Sequence, residues 1–149
     1  FIARRIMICA SEDVGLADPQ ALVIANAAAQ TVHNIGMPEA RIVLAEAAAY
    51  VAAAPKSNAV YKAIDDALMY IKNNPAGAIP PHLQDAHYKG AAKLGHGLNY
   101  KYAHDYKNHY VKQQYLPDGM EDISFYNPTD NGYERDIKEH LERIRKEAE

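Results

Sequence analysis

The sequence predicts an all-α protein, a helical bundle with a loop-rich second half. Apolar residues recur every three or four positions through the first half of the chain and again near its end. That spacing is typical of helices with one buried face. Glycine and proline stand between these stretches, where helices commonly begin and end. No run of alternating apolar and polar residues predicts a strand.

The first two helices are bounded by clear signals. One is predicted over residues 1–13, ending at Gly15, and the next over residues 19–35. Asp18 can cap the second helix, and Pro19 suits its first position. The predicted buried face of the first helix consists of Ile2, Ile6 and Cys9. The predicted buried face of the second consists of Leu22, Ala25, Ala29, Val32 and Ile35.

The third helix, predicted over residues 38–54, is almost entirely apolar from Ile42 onward, with Glu46 as the one charged residue there. A helix that is apolar on all sides is buried on most of them. We therefore expect it at the centre of the bundle. A fourth helix is predicted over residues 58–73, capped by Ser57. Its predicted inner stripe consists of Val60, Ile64, Leu68 and Ile71.

Prolines and glycine between residues 75 and 81 predict a boundary. The predicted organisation is a compact four-helix half (1–78), a Lys/Tyr-rich irregular half (79–133) and a C-terminal docking helix (134–149). Two short helices are expected inside the irregular half, over residues 86–94 and 105–114. The last helix has a narrow apolar stripe, Tyr133, Ile137, Leu141 and Ile144, and an expected exposed pair between Glu134 and Lys138.

Several classes of site are missing from the sequence. There is no phosphate-binding loop and no dinucleotide fingerprint, and Gly95–Gly97 is interpreted as a turn. Cys9 is the single cysteine and is in helical register with Ile2 and Ile6, so it is interpreted as a small core residue. Five histidines lie between His82 and His109, but their spacing does not match a zinc motif. We expect no catalytic, cofactor-binding or metal-binding residue in this chain, and no membrane span.

The strongest local anomaly is the tyrosine content. Eight of the eleven tyrosines fall between Tyr88 and Tyr133, and residues 82–115 carry five Lys against two Asp. Lysine neutralises phosphates and tyrosine stacks on bases, so the segment suits single-stranded nucleic acid. Packing or a protein interface is favoured, since the net charge there is modest. The candidate contacts for DNA or a partner are Lys93, Tyr100, Lys101, Tyr102, Lys107 and Tyr110.

Several strings together resemble a known family. They are I-A-R-R (2–5), A-S-E-D-V-G-L-A-D-P (10–19), G-M-P-E (36–39), A-P-K-S-N-A-V-Y (54–61), P-H-L (81–83), Y-A-H-D (102–105), Y-L-P (115–117) and F-Y-N-P-T (125–129). In this order they resemble the C-terminal region of the replication-associated recombination protein A, or maintenance-of-genome-stability, AAA+ ATPases and their Werner-helicase-interacting relatives. The motif residues expected to have structural roles are Ser11, Glu12, Asp13, Asp18, Pro19, Pro55, Lys56, Ser57, Asn58, His82, His104 and Asp105.

The resemblance implies a fold similar to the collar domain of clamp loaders and a role in assembling a homotetramer. It implies that the ATPase core and lid, with ATP and Mg²⁺, lie upstream of Phe1, so this chain itself would hold no cofactor. The whole enzyme would act in replication, recombination and repair at stalled forks. Expected partners are further copies of the chain, the upstream domains, DNA and replication-fork proteins. The expected location is the cytoplasm, at the nucleoid. The alternative is a DNA-contact module that uses residues 88–112.

Overall fold

The computed structural model of the protein describes residues 1–75 and 77–148. Its α-helices are α1 (Ile2–Cys9), α2 (Gln20–Ile35), α3 (Ala40–Ala53), α4 (Ala59–Asn73) and α5 (Tyr133–Glu147). Across those described ranges there is no strand, which confirms the all-α prediction. Nor is any helix in them long and apolar enough to cross a membrane.

The connection after α1 is helical but irregular. The chain continues through a π-helical turn (Ala10–Val14) and a 3-10 turn (Gly15–Ala17) before α2 begins. Gly15 has a φ of +54°, in the left-handed region that favours glycine. It therefore changes the direction of the chain here, as the sequence predicts for the end of the first helix.

One compact unit comprises residues 1–68 and 125–140. In it, α2 packs against both α1 and α3. The core consists of small residues, with Ile6, Met7, Cys9 and Tyr50 packed partly buried against it. Its buried members are Ala10, Val14, Ala21, Ala25, Val51 and Ala54. Alanine permits close approach of helix backbones, so this core holds helices together with little side-chain volume.

Two predicted helix faces differ from the observed ones. In α2 the buried residues are Ala21, Ala25 and Ala28, whereas Leu22 is 46% exposed. The predicted central position of α3 is wrong, since only Ala40, Ala47 and Val51 of that helix are buried. Alanine is only weakly apolar and tolerates solvent, so an Ala-rich pattern does not define one buried face.

The apolar stripe of α4 also differs from expectation. Val60 is 40% exposed, and Ile64, Leu68 and Ile71 are between 54% and 59% exposed. The buried residue of this helix is instead Ala59. Helical periodicity identifies the face that avoids water, but it does not say whether the same chain covers that face. In this chain the predicted inner stripe faces solvent.

A second unit comprises residues 69–124 and 141–149. The prediction of two short helices, over residues 86–94 and 105–114, is wrong. The chain instead forms 3-10 turns at Pro81–Leu83, Ala91–Leu94, Ala103–Asp105 and Lys107–His109. Asn108 and His109 both have positive φ, which interrupts an α-helix at that point.

The C-terminal helix agrees with the prediction in type and start. α5 begins at Tyr133, and the predicted last residue, Glu149, lies outside the described residues. Of its predicted apolar stripe, Ile137, Leu141 and Ile144 are half-buried, while Tyr133 is 52% exposed.

Candidate functional site

A fully buried carboxylate lies at the start of α5. The side chain of Glu134 is 0% exposed. Its Oε2 accepts hydrogen bonds from the Ser57 hydroxyl at 2.6 Å, the Thr129 amide at 2.9 Å and the Thr129 hydroxyl at 2.7 Å. The Tyr126 hydroxyl donates to Oε1 at 3.1 Å. Four donors thus satisfy both oxygens, as a buried charge requires.

These donors decide the protonation state of Glu134. Burial alone raises the pKa of the carboxyl, but the hydrogen bonds from Ser57, Thr129 and Tyr126 outweigh it and lower the pKa below its ordinary value of 4.5. Glu134 is therefore ionised at neutral pH. Burial and the neighbouring Glu134 carboxylate raise the pKa of Tyr126 to about 12, so its hydroxyl remains a donor.

Ser57 joins the buried carboxylate to two further segments. Its Oγ accepts a hydrogen bond from the Ala59 amide at 3.2 Å, which caps α4 as predicted. Its own amide donates to the Asp13 carbonyl at 2.8 Å, in the π-helical turn. Three segments far apart in sequence, around Asp13, Ser57 and Glu134, therefore meet at one point.

Lys56 closes the end of the preceding helix. Its Nζ donates to the carbonyl oxygens of Val51 at 2.8 Å and Ala52 at 3.2 Å, and also to that of Ala54. These carbonyls lie at the C-terminus of α3, where a helix offers them no amide partner. The ammonium also opposes the negative end of the helix dipole. The segment from Pro55 to Ser57 therefore ends α3 and starts α4.

Close backbone approach at this junction requires glycine. Gly132 has a φ of +54°, and a Cβ there would overlap the Ala17 carbonyl oxygen and lie 2.8 Å from Pro55 Cγ. A Cβ on Gly15 would lie 2.7 Å from the Ser57 carbonyl oxygen. All three converging segments thus contact one another at a glycine, with no room for a side chain there.

Other motif residues of the first unit contact neighbouring segments or are exposed. Asp18 accepts from the Gln20 amide at 3.0 Å and from the Tyr50 hydroxyl at 2.8 Å, which ties the start of α2 to α3. Cys9 Sγ donates to the Asp13 carboxylate at 3.1 Å, and this bond raises the pKa of the thiol. Neutral Cys9 is a poor nucleophile. Pro19, Asn58, Ser11 and Glu12 are exposed.

The junction is suited to holding chain segments rather than to proton transfer. A general base must reach the proton it removes, and Glu134 is enclosed by its four donors. Sequence reasoning missed this residue, because it assigned Glu134 to an exposed pair with Lys138. Lys138 instead lies 2.8 Å from Asp130. A signal was present in the hydroxyl-bearing residues Tyr126 and Thr129, five to eight positions upstream.

Three of the six predicted DNA or partner contacts line one cleft in the second unit. Lys101, Lys107 and Tyr110 surround a space of about 340 Å³ together with Tyr106 and Lys112. Glu147 reduces the positive charge of this cleft, since its Oε2 lies 3.1 Å from Lys107 Nζ. Lys101 Nζ is directed at the Lys112 carbonyl oxygen, 3.4 Å away.

The other predicted contacts lie outside that cleft. Lys93 is exposed on a 3-10 turn, and Tyr100 is 49% exposed. Tyr102 contacts the ring of His104, with centroids 5.0 Å apart, and His104 contacts His109 at 4.9 Å. Asp105, beside His104, is exposed. The six residues therefore do not form a single binding surface.

Three histidines of this unit each have a different hydrogen-bond partner. His82 bonds to the Gln114 carbonyl oxygen at 2.7 Å, which joins two loop segments. His87 Nδ1 lies 2.8 Å from Asp85, and His96 Nδ1 lies 2.7 Å from the Tyr88 hydroxyl. Within the ranges that the structure describes, no group of three or more side chains is placed to hold a metal ion.

Comparison with known proteins identifies close sequence relatives. The family model for the MgsA AAA+ ATPase C terminal matches residues 1–145. An uncharacterized AAA domain-containing protein of Mycobacterium tuberculosis is 54% identical over 97% of this chain and 32% of its own length. The replication-associated recombination protein A of Bacillus subtilis is 47% identical over 97% and 35%. That of Haemophilus influenzae is 43% identical over 99% and 33%. The chain thus spans about a third of the length of these relatives.

Proposed function

This chain belongs to the C-terminal domain family of the MgsA AAA+ ATPases, and from that membership we propose that it is a non-catalytic module that assembles its parent protein into a homotetramer. The parent binds ATP and Mg²⁺ in upstream AAA+ and lid domains and acts at stalled replication forks in recombination and repair. It works in the cytoplasm, at the nucleoid, with DNA and fork proteins as further partners. The relatives' names carry the link to replication and recombination.

The apolar stripe of α4 is the observation that carries this proposal. Val60, Ile64, Leu68 and Ile71 have the spacing of a buried helix face, yet each is at least 40% exposed. Scattered apolar residues on a surface are ordinary, but a continuous apolar row is typical of an interaction site. A second copy of the chain would remove this row from water.

The buried junction supports the same function, because it fixes the start of the exposed helix. Ser57 caps α4 and is itself bonded to Glu134 and to the Asp13 backbone. An interface gains affinity when its surface is ordered before binding. The junction therefore presents α4 as a rigid surface.

Light scattering on the chain over a wide concentration range tests the proposal directly. We expect a tetramer, and a double substitution Ile64→Asp and Leu68→Asp should reduce the mass toward that of a monomer. The matched control is Ile42→Asp on α3, since Ile42 is 63% exposed but lies outside the stripe. A monomer at every concentration would contradict the proposed assembly function.

The alternative function is contact with single-stranded DNA through residues 88–112. The cleft that contains Lys101, Lys107 and Tyr110 favours it, since cationic and aromatic side chains lie together there. Fluorescence anisotropy of a labelled oligonucleotide across a salt series would detect this binding. Simultaneous change of Lys101, Lys107 and Tyr110 to Ala should abolish it, and absence of binding at low salt would exclude it for this chain.

A further inference from the structure

An apolar groove lies where α1, α2 and α4 meet. Its space is about 460 Å³, and its lining includes Met7, Ile8, Leu22, Val60 and Ile64. Leu22 is 46% exposed and Ile64 is 54% exposed, so the groove opens to solvent. Because Val60 and Ile64 also begin the exposed row of α4, the groove and the row form one continuous apolar surface.

Two opposite charges lie within the groove lining. Arg4 and Glu12 both line it and are both exposed. They are eight residues apart along α1 and its π-helical extension, or about 12 Å at the rise of a helix. Ile8, another lining residue, stands midway between them. Within the described residues neither charge forms an ion pair.

Glu12 lines the groove together with Tyr61. Tyr61, which also lines the groove, has its pKa raised by the nearby carboxylates of Asp65 and Glu12. The Glu12 end of the groove is therefore negative, whereas the other end carries the Arg4 guanidinium. A partner for this surface must present an apolar centre with one charge of each sign on either side of it.

A second copy of the chain has this pattern when it is turned by a two-fold rotation. With the rotation axis at Ile8, Arg4 of each copy faces Glu12 of the other, and the two Ile8 side chains meet at the centre. Such a contact is isologous, which means that the same surface is used by both copies. The charge pattern of the groove is therefore complementary to that of a second copy lying in the opposite orientation.

We propose that the groove between α1, α2 and α4 binds a second copy of this chain about a two-fold axis near Ile8, with reciprocal Arg4–Glu12 ion pairs. This inference rests on the proposed assembly function and assigns it a particular surface and orientation. Complementary charges at the two ends fix the register of the pair, while the apolar centre supplies the contact. A tetramer would then contain this two-fold contact and at least one other.

Charge exchange tests the orientation. Arg4→Glu places two carboxylates opposite each other at both ends of the contact, and Glu12→Arg places two guanidinium groups there in the same way. We expect either single variant to weaken self-association at least about tenfold, as measured by sedimentation equilibrium. The double variant, Arg4→Glu with Glu12→Arg, should restore association to within about threefold of the original, because the pairs re-form with reversed sign.

Arg5→Glu is the matched control, since Arg5 is the next residue of α1, is exposed and does not line the groove. It should leave association unchanged. If both single variants behave like this control, or the double variant is as weak as the two effects combined, the groove assignment is wrong while the assembly function stands. If the unaltered chain is a monomer throughout, the assembly function fails and the groove contact fails with it.

Discussion

Ser57 Oγ lies 2.6 Å from Oε2 of Glu134, a residue 77 positions further along the chain. This hydrogen bond ties the start of α4 to the start of α5. Because Ser57 also binds the Asp13 carbonyl through its amide, a single residue links three separate segments. The family-like strings at residues 10–19, 54–61 and 125–129 each contribute atoms to this junction.

Glu134→Ala should lower the free energy of unfolding by about 3 kcal/mol, because it leaves the buried donors of Ser57, Thr129 and Tyr126 without their acceptor. Urea unfolding monitored by circular dichroism measures the change. The control is Glu139→Ala, an exposed position on the same helix, where an effect under about 0.5 kcal/mol is expected. Equal effects at both positions would mean that the buried carboxylate contributes no more to stability than an exposed one.

The same carboxylate predicts a specific acid dependence. Its folded-state pKa is lowered from 4.5, so between the two values the unfolded chain binds more protons. The stability from Glu134 is therefore fully present above pH 4.5 and is lost as the pH falls through the folded pKa. Glu134→Gln should be less stable than the original chain at pH 7, and this difference should shrink in acid. A difference that is constant down to about pH 3 would contradict the prediction.

Gly132→Ala should destabilise the fold by about 3 kcal/mol or more, because its Cβ would overlap the Ala17 carbonyl oxygen as well as requiring positive φ. Gly36→Ala provides the comparison, since Gly36 has a φ of +67° but no atom within 4 Å of the added Cβ. Its cost should be only that of the backbone conformation, about 1–3 kcal/mol, because a φ of 67° with a ψ of −174° is a region adopted almost only by glycine. Thermal unfolding of the two variants separates close contact from backbone strain.

Lys56→Met should lower stability by about 1 kcal/mol, because the C-terminal carbonyls of α3 lose their donor while the apolar part of the side chain is retained. Lys62→Met, an exposed change on α4, should have an effect below about 0.5 kcal/mol. The denaturant midpoint of each variant, compared with that of the original chain at an unchanged m-value, measures the change in stability. An equal loss in the two variants would assign the effect to net charge rather than to capping.

The positions of the first four helices and of α5 were predictable because they depend on local chemistry. Gly15 ends the first helical segment by adopting positive φ, and Ser57 caps α4 through an amide two residues away. These interactions span only a few residues, so their pattern is legible in the sequence. The prediction of short helices in the second half was wrong. Residues such as Asn108 adopt positive φ there, in a segment that loop contacts stabilise.

Relationships between distant residues were decided only by the tertiary structure. Within α5 itself nothing distinguishes Glu134 from the other acidic residues, since its burial depends on hydroxyl groups that Ser57, Tyr126 and Thr129 supply from outside the helix. Helical periodicity also identified the apolar stripe of α4, but it did not show that this stripe is exposed to solvent. By itself the sequence determined which residues form helices and which faces avoid water, because hydrogen bonding and side-chain spacing act over a few residues. Which faces are covered, and by what, depends on the packing of segments far apart in the chain.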